Sequence, residues 1–330
     1  MLTRAKFEQC AKGLFDLTGN PAIQYKIQKD FLHVPCDSCH KAFLQSDIVE
    51  QLYREQGPEG NWGPLNNKNY SEKAVFPTTF VAIDRCRYIG LSLSDRDILF
   101  CALDYLEELL QGRNTKVLYN RNERAIPWQM ADIATRAERI KPQNPLCDRL
   151  YFEWLYIIKQ AFETGEYSYE RDKAAQHEVF GTREKRLVPL RVEFVLTRPN
   201  HMSEALQSAL LHHFARQAFH EGHFWQEAPC MLPEHFKNNK MRRWFHGFNY
   251  IAQFKGSKAY LQDAVDFLMA SQNPDGLWDY GSQIKDPWGY FGNFAVGRIT
   301  PETRVADCTM EVLSFLNAYL ESNFASPNPA

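Results

Sequence analysis

No apolar run opens the chain. Met1-Leu-Thr-Arg-Ala-Lys-Phe-Glu-Gln-Cys10 is at most amphipathic, which predicts neither a signal peptide nor a transmembrane anchor. An excess of one charge is also missing: the formal net charge is −2, so nothing in the composition favours non-specific binding to nucleic acid. Cysteine is sparse, eight in 330 residues, and scattered along the chain. That usage suits reduced, mostly buried thiols and makes the cytoplasm the expected location. Strand signals are nearly absent. The one strand-like run, Leu187-Val-Pro-Leu-Arg-Val-Glu-Phe-Val-Leu196, contains Pro189, which argues against a central strand.

Metal and haem signatures are incomplete. Cys36-Asp-Ser-Cys39-His40 has the spelling of a haem-attachment motif, but covalent attachment takes place after export, and no export signal is visible. As a zinc site it lacks a second ligand pair, so the sequence leaves metal binding at Cys36, Cys39 and His40 open. His220-Glu-Gly-His223 spaces its histidines by three, off the i,i+4 register that one zinc ion needs. The expectation is an activity without metal or redox cofactor.

What the chain does have is enough apolar material for a large core. It is 44% hydrophobic and 24% charged, and its aromatic share of 14% can fill a core or line a cavity for an apolar or cationic guest. Helical periodicity runs throughout. It predicts helices near 2–16, 21–33, 41–56, 77–89, 95–111, 127–140, 146–164, 185–198, 203–221, 239–254, 258–271 and 302–320. Counted in order they make about six pairs, in one domain over 1–330 with a frayed tail from about 322. A long aromatic loop, 279–301, has the composition of a functional lid.

Two stretches repeat one pattern. Gln56-Gly-Pro-Glu-Gly60-Asn-Trp62 and Gln272-Asn-Pro-Asp-Gly276-Leu-Trp278 both read Gln-x3-Gly-x-Trp, and both follow a helix. The glycine supplies a turn that a Cβ disfavours, while Gln and Trp can cross-link helix ends.

On these residues the chain resembles the terpenoid-cyclase and protein-prenyltransferase superfamily, whose signature turn is aromatic-aliphatic-x3-Gln-x(2–5)-Gly-x-Trp. The second copy extends the match to Phe267-Leu268, and the first has Leu52 but Gln51 in the aromatic place. Pro77-Thr78-Thr79-Phe80 and Asp307-Cys308-Thr309 resemble the starts of that superfamily's inner helices. The likeness covers roughly 40–112 and 258–320.

The resemblance implies an all-α fold, an (α/α)6 toroid of helical hairpins whose inner helices line a cavity. It also implies class II chemistry, in which a carboxylic acid protonates a linear isoprenoid to start cyclisation. The expected partner is then a small isoprenoid substrate, with peripheral membrane contact as a means of collecting it. Aligning Thr309 with the threonine of the family's Asp-x-Asp-Asp-Thr run leaves Asp307 as the central acid, with Val305 and Cys308 in the other carboxylate positions. No Asp-Asp-x-x-Asp and no prenyltransferase zinc set accompany it.

Protonating an alkene needs a protonated acid in a dry site, hydrogen-bonded so that its conjugate base is stabilised, and π-faces for the cations that follow. Asp84, Asp132 and Asp307 are the candidate acids. Phe80 and Tyr88 flank Asp84 at one-turn intervals, Trp128 stands one turn before Asp132, and Glu311 one turn after Asp307. Glu193, Trp154, Trp244, His246, Asn249, Trp288 and Arg191 complete the candidate substrate-binding set. The arginines near these acids, 85, 87, 136, 139, 191, 242 and 243, have two readings: clamps for an anionic or phenolic head group, or salt-bridge partners of the acids. The bland reading of each acid is likewise an ion pair or a helix cap. Two other functions are open, a toroid glycoside hydrolase or lyase with paired carboxylates, and a non-catalytic toroid that binds lipid or protein.

Overall fold

The computed structural model describes residues 2–34, 36–66, 74–114, 117–118, 126–181, 187, 189–218, 241–279, 281, 294, 296 and 300–321, apart from the side chains of residues 190, 241–243 and 246. Among them the chain is all-helical, with no strand. In order the helices are α1 Arg4–Leu17, α2 Pro21–Lys26, α3 Asp37–Leu44, α4 Asp47–Glu55, α5 Thr79–Ile89, α6 Asp97–Leu110 and α7 Ile126–Ile140. Then come α8 Asp148–Ala161, α9 Tyr169–Phe180, α10 Pro189–Leu196, α11 Glu204–Arg216, α12 Met241–Ala252, α13 Lys258–Ala270 and α14 Pro301–Glu321. None of the described helices is long and apolar enough to cross a membrane.

Three helix expectations change. The 41–56 pattern is two helices, because the chain breaks at Gln45 and Ser46, where Ser46 Oγ bonds back to the Phe43 carbonyl at 2.6 Å. The 21–33 helix turns π-helical over Ile27–Leu32 and ends at His33, whose φ is +53°. The charged stretch between α8 and α10, where periodicity predicts no helix, holds α9. Ser168 caps it by accepting from the Arg171 N–H, Glu170 and Asp172 occupy its first turn, and Gly181 at φ +66° stops it. Pro189, the residue that spoiled the strand reading, is the first residue of α10, where its missing N–H is harmless.

The described residues form two compact units, one of Met1–Gln51, Tyr88–Gly90 and Ala215–Ala330, the other of Leu52–Arg87 and Leu91–Phe214. In the first, α14 is the centre and α1, α12 and α13 pack on it. Its residues from Ala306 to Leu313 are all buried, the mark of a helix enclosed on every side. Trp244, Phe245, Phe248 and Phe315 interlock there, with ring centroids 4.0 Å apart for Trp244 and Phe248. Arg4 of α1 reaches Asn317 of α14 at 3.0 Å.

In the second unit α7 is enclosed by α6, α8 and α10. Ala131, Ala134 and Ala137 are fully buried, and their small side chains let neighbouring helices approach closely.

Both Gln/Trp turns have the same internal wiring, each inside its own unit. Trp62 donates its indole N–H to the Leu52 carbonyl at 2.8 Å, and Trp278 donates to the Leu268 carbonyl at 2.7 Å. Their backbone N–H groups donate to Thr79 Oγ1 and Thr309 Oγ1 at 3.0 and 3.1 Å. Gln56 and Gln272 clasp the carbonyls of Gly60 and Gly276 at 3.0 and 2.7 Å. Each Gln also reaches onward, Gln56 to the Ile98 carbonyl in the first turn of α6 and Gln272 to Cys10 Sγ on α1. The turn therefore fixes the end of one helix, the start of the next and a third neighbour.

Both glycines need positive φ, +83° at Gly60 and +74° at Gly276, but their surroundings differ. A Cβ on Gly60 would lie 2.1 Å from the Cys101 carbonyl oxygen, whereas the nearest atom to one on Gly276 is Gln272 Nε2 at 3.9 Å. Gly60→Ala is expected to cost about 2–4 kcal/mol in urea unfolding, from backbone strain plus overlap, and Gly276→Ala about 1–2 kcal/mol from strain alone. Equal losses would show that overlap at Cys101 is relieved without cost.

Candidate functional site

The first Gln/Trp turn anchors α5 through Thr79, and α5 carries Phe80, Asp84 and Arg87. Within the same unit α7 brings Trp128, Asp132, Arg136 and Arg139, and α10 brings Arg191 and Glu193. These side chains form an alternating network. Asp84 pairs with Arg136 at 2.6 Å, Asp132 with Arg191 at 2.5 Å, and Glu193 with Arg139 at 3.1 Å. The salt-bridge reading of Arg136, Arg139 and Arg191 thus holds for the described residues.

The three carboxylates differ in burial. The Asp84 side chain is 44% exposed, against 16% for Asp132 and 11% for Glu193. Burial pushes the Asp132 carboxyl above its ordinary value, with Arg191 and Arg136 pulling the other way. Its Oδ1 takes the Arg191 bond, and Oδ2 has no hydrogen bond among the described residues. Phe80 does not present an open π-face on both sides, because the Arg136 guanidinium lies 3.8 Å from its ring centroid. Trp128 is buried, and its indole N–H has no hydrogen-bond partner among the described residues.

Arg87 is the odd member. Four arginines, 87, 136, 139 and 191, face three acids, and each acid is claimed by one of the other three. Burial, reinforced by repulsion from Arg139, lowers the Arg87 guanidinium to about 10, and among the described residues it has neither hydrogen bond nor ion pair. A desolvated guanidinium of this kind is suited to an incoming carboxylate or phosphate. Nothing in the sequence sets Arg87 apart from its neighbours, since which arginine goes unpaired depends on ion pairs between residues more than fifty apart.

The second Gln/Trp turn anchors α14, which carries Asp307 and Glu311, both buried. Asp307 Oδ1 accepts the Phe294 N–H at 2.8 Å. Glu311 accepts from the Tyr88 hydroxyl at 3.0 Å and from the Asn249 amide at 3.3 Å. Tyr88, expected to extend the Phe80/Asp84 stripe toward substrate, thus serves Glu311, and Lys26 Nζ lies 5.5 Å from its ring centroid.

Trp154 and Trp244 are core side chains. Trp154 is fully buried on α8 with Phe180 against it, at 5.2 Å between centroids, and Trp244 belongs to the α12–α14 aromatic cluster. The His246 side chain and Trp288 lie outside the described residues, as do the Arg242 and Arg243 side chains and most of 279–301. His220 and His223 lie outside them too.

Two buried carboxylates, Asp172 and Glu138, carry no motif that singles them out. Asp172 on α9 accepts from the Tyr167 hydroxyl at 2.6 Å, the Gln176 amide at 2.7 Å and the Leu187 N–H at 2.8 Å, which saturates it as a structural acceptor.

At Cys36, Cys39 and His40, His40 stacks on Tyr25 with centroids 5.0 Å apart. Among the described residues no group of three His, Cys, Asp or Glu side chains is arranged to hold a metal ion. Compared with protein-family models, curated proteins and solved structures, the chain matches none.

Proposed function

We propose that the chain closes into an (α/α)6 toroid and acts as a class II-like terpene or meroterpenoid cyclase, with an anionic or phenolic head on its isoprenoid substrate. Two observations support the closure. Gln272 reaches α1 from the second turn as Gln56 reaches the start of α6 from the first, and α1 packs on α14, contacts that closure of a ring would require.

The chemistry rests on a single observation: Asp132 is a part-buried acid whose carboxyl is raised by desolvation, while Arg191, bonded to it at 2.5 Å, stabilises its conjugate base. An acid of that kind can hold a proton in a dry site and give it up to an alkene. The proton would leave from Oδ2, because Oδ1 is held by Arg191. The emerging carbocation would be met by the Trp128 indole, one turn away on α7. Arg87 would bind the head group, which explains a desolvated cation in a network whose acids are already paired. A glycosidase reading asks for two carboxylates working across an open groove, and here each carboxylate of the cluster is tied to an arginine.

The test is incubation of the purified protein with a geranylgeranylated aromatic acid and, separately, with the free polyprenyl hydrocarbon. The acid is expected to give isomeric products of unchanged mass. Arg87→Met should raise KM for the acid at least about tenfold, one lost charge-assisted contact, and leave the hydrocarbon unaffected. No turnover of any prenylated acid, or release of reducing sugar from a glycan, would overturn the reading.

A further inference from the structure

We propose that Cys36 and Cys39 form a thiol–disulfide exchange site, independent of the carboxylate–arginine network, that acts on small peptide disulfides. Cys36 is the N-cap of α3, a position more usually held by Ser, Thr, Asp or Asn. Its Sγ accepts the Cys39 N–H at 3.2 Å and lies 3.3 Å from Ser38 Oγ. Sulfur at that position sits on the positive end of the helix, where the thiolate is favoured over the thiol.

The two thiols differ as an attacking and a resolving cysteine should. The Cys36 thiol is lowered, first by its hydrogen bond with the Cys39 thiol, while burial raises Cys39. Both are free in the structure.

A second feature suggests a ligand. Cys36 opens on a groove of about 380 Å³, lined also by Tyr25, Gln28, Lys29, His33 and His40. The Gln28 Oε1 is shielded from solvent and has no hydrogen-bond partner among the described residues. An unsatisfied buried acceptor costs free energy until a donor arrives, and a backbone N–H of a peptide disulfide is such a donor. His40 is held against Tyr25 by stacking, so it acts as part of the wall.

The Cys36 thiolate attacks one sulfur of R–S–S–R. A Cys36–S–S–R bond forms, and RS⁻ leaves and takes a proton from water. Cys39 then loses its proton and attacks the Cys36 sulfur, which expels the second RS⁻. The protein ends with a Cys36–Cys39 disulfide, and the two electrons of its dithiol have passed to two molecules of RSH.

The test uses the full chain, reduced, then exposed to glutathione disulfide as the probe, quenched with an alkylating agent and mapped by mass spectrometry. Wild type should show a Cys36–Cys39 disulfide. Cys39→Ser should trap a glutathione adduct on Cys36. Cys36→Ser should form neither species, and its serine keeps the α3 cap, so loss of folding does not confuse the result. Cys36 should alkylate about tenfold faster than Cys10 or Cys101 at pH 7, as expected of a helix-terminal thiol with more thiolate. Equal alkylation rates with no Cys36–Cys39 disulfide, or adduct formation at Cys39 in Cys36→Ser, would overturn the proposal.

Discussion

On the proposed cyclase reading, Asp132→Asn is expected to lower turnover by about 10²–10⁴-fold, the usual contribution of a positioned general acid, while circular dichroism stays that of wild type. The amide keeps the volume and still offers Arg191 an oxygen, so the loss should fall on the proton and leave the packing intact. Asp84→Asn should cost far less, because the Asp84 side chain is 44% exposed and its Oδ2 is held by Arg136 at 2.6 Å. The pH profile adds a second readout. Burial raises the Asp132 carboxyl, so its protonated form persists to higher pH than an ordinary Asp, and turnover should fall as pH rises through that raised value.

The sign for stability follows from the same shift. A carboxyl that binds its proton more tightly in the folded chain favours folding at low pH. That contribution is lost as pH rises from the unfolded value through the folded one. Asp132→Asn removes this slope. An unchanged pH profile of turnover, or full activity in Asp132→Asn, would remove Asp132 as the acid and leave Asp307 as the next residue to vary.

Arg198→Met should lose about 3–5 kcal/mol in urea or thermal unfolding, which makes it the largest stability effect expected of any single charge. Arg198 bonds Glu138, whose side chain is only 1% exposed, and Asp148 at 2.7 Å; it also donates to the Asn144 carbonyl at 2.9 Å. Its guanidinium lies 4.9 Å from the Tyr151 ring centroid. Removing Arg198 leaves Glu138 buried without its counter-ion, with the Gln143 N–H at 3.0 Å as its remaining partner. Most of the cost is that stranded charge. The double variant Arg198→Met/Glu138→Leu should therefore recover much of the loss, and a double-mutant cycle measures the coupling. Additive losses would mean that Glu138 is solvated once Arg198 is gone.

Several features were legible because they are local. The two Gln-x3-Gly-x-Trp turns could be read from spacing, and in both the Gln side chain closes on the Gly carbonyl four residues on, a bond that needs no distant partner. The all-helical class followed from periodicity. Helix ends were legible where a cap sat beside them: Asn20 before Pro21 accepts from Ala22 and Ile23. The helix α9 is not legible in the sequence although Ser168 and Gly181 bracket it, because its polar sequence carries little apolar periodicity.

The carboxylates mark the boundary. Sequence alone determined that α5, α7, α10 and α14 bear acids at turn-spaced positions beside aromatics and arginines. Which acid is exposed, which is desolvated and which arginine goes unpaired were decided by the tertiary structure. Asp84 meets Arg136 across 52 residues and Asp132 meets Arg191 across 59. The physical reason is that a carboxyl's proton affinity depends on the solvent and charges around it, and those neighbours are supplied by packing between distant helices. Local spacing fixes where a side chain sits on its helix, and only the packed helices fix what surrounds it.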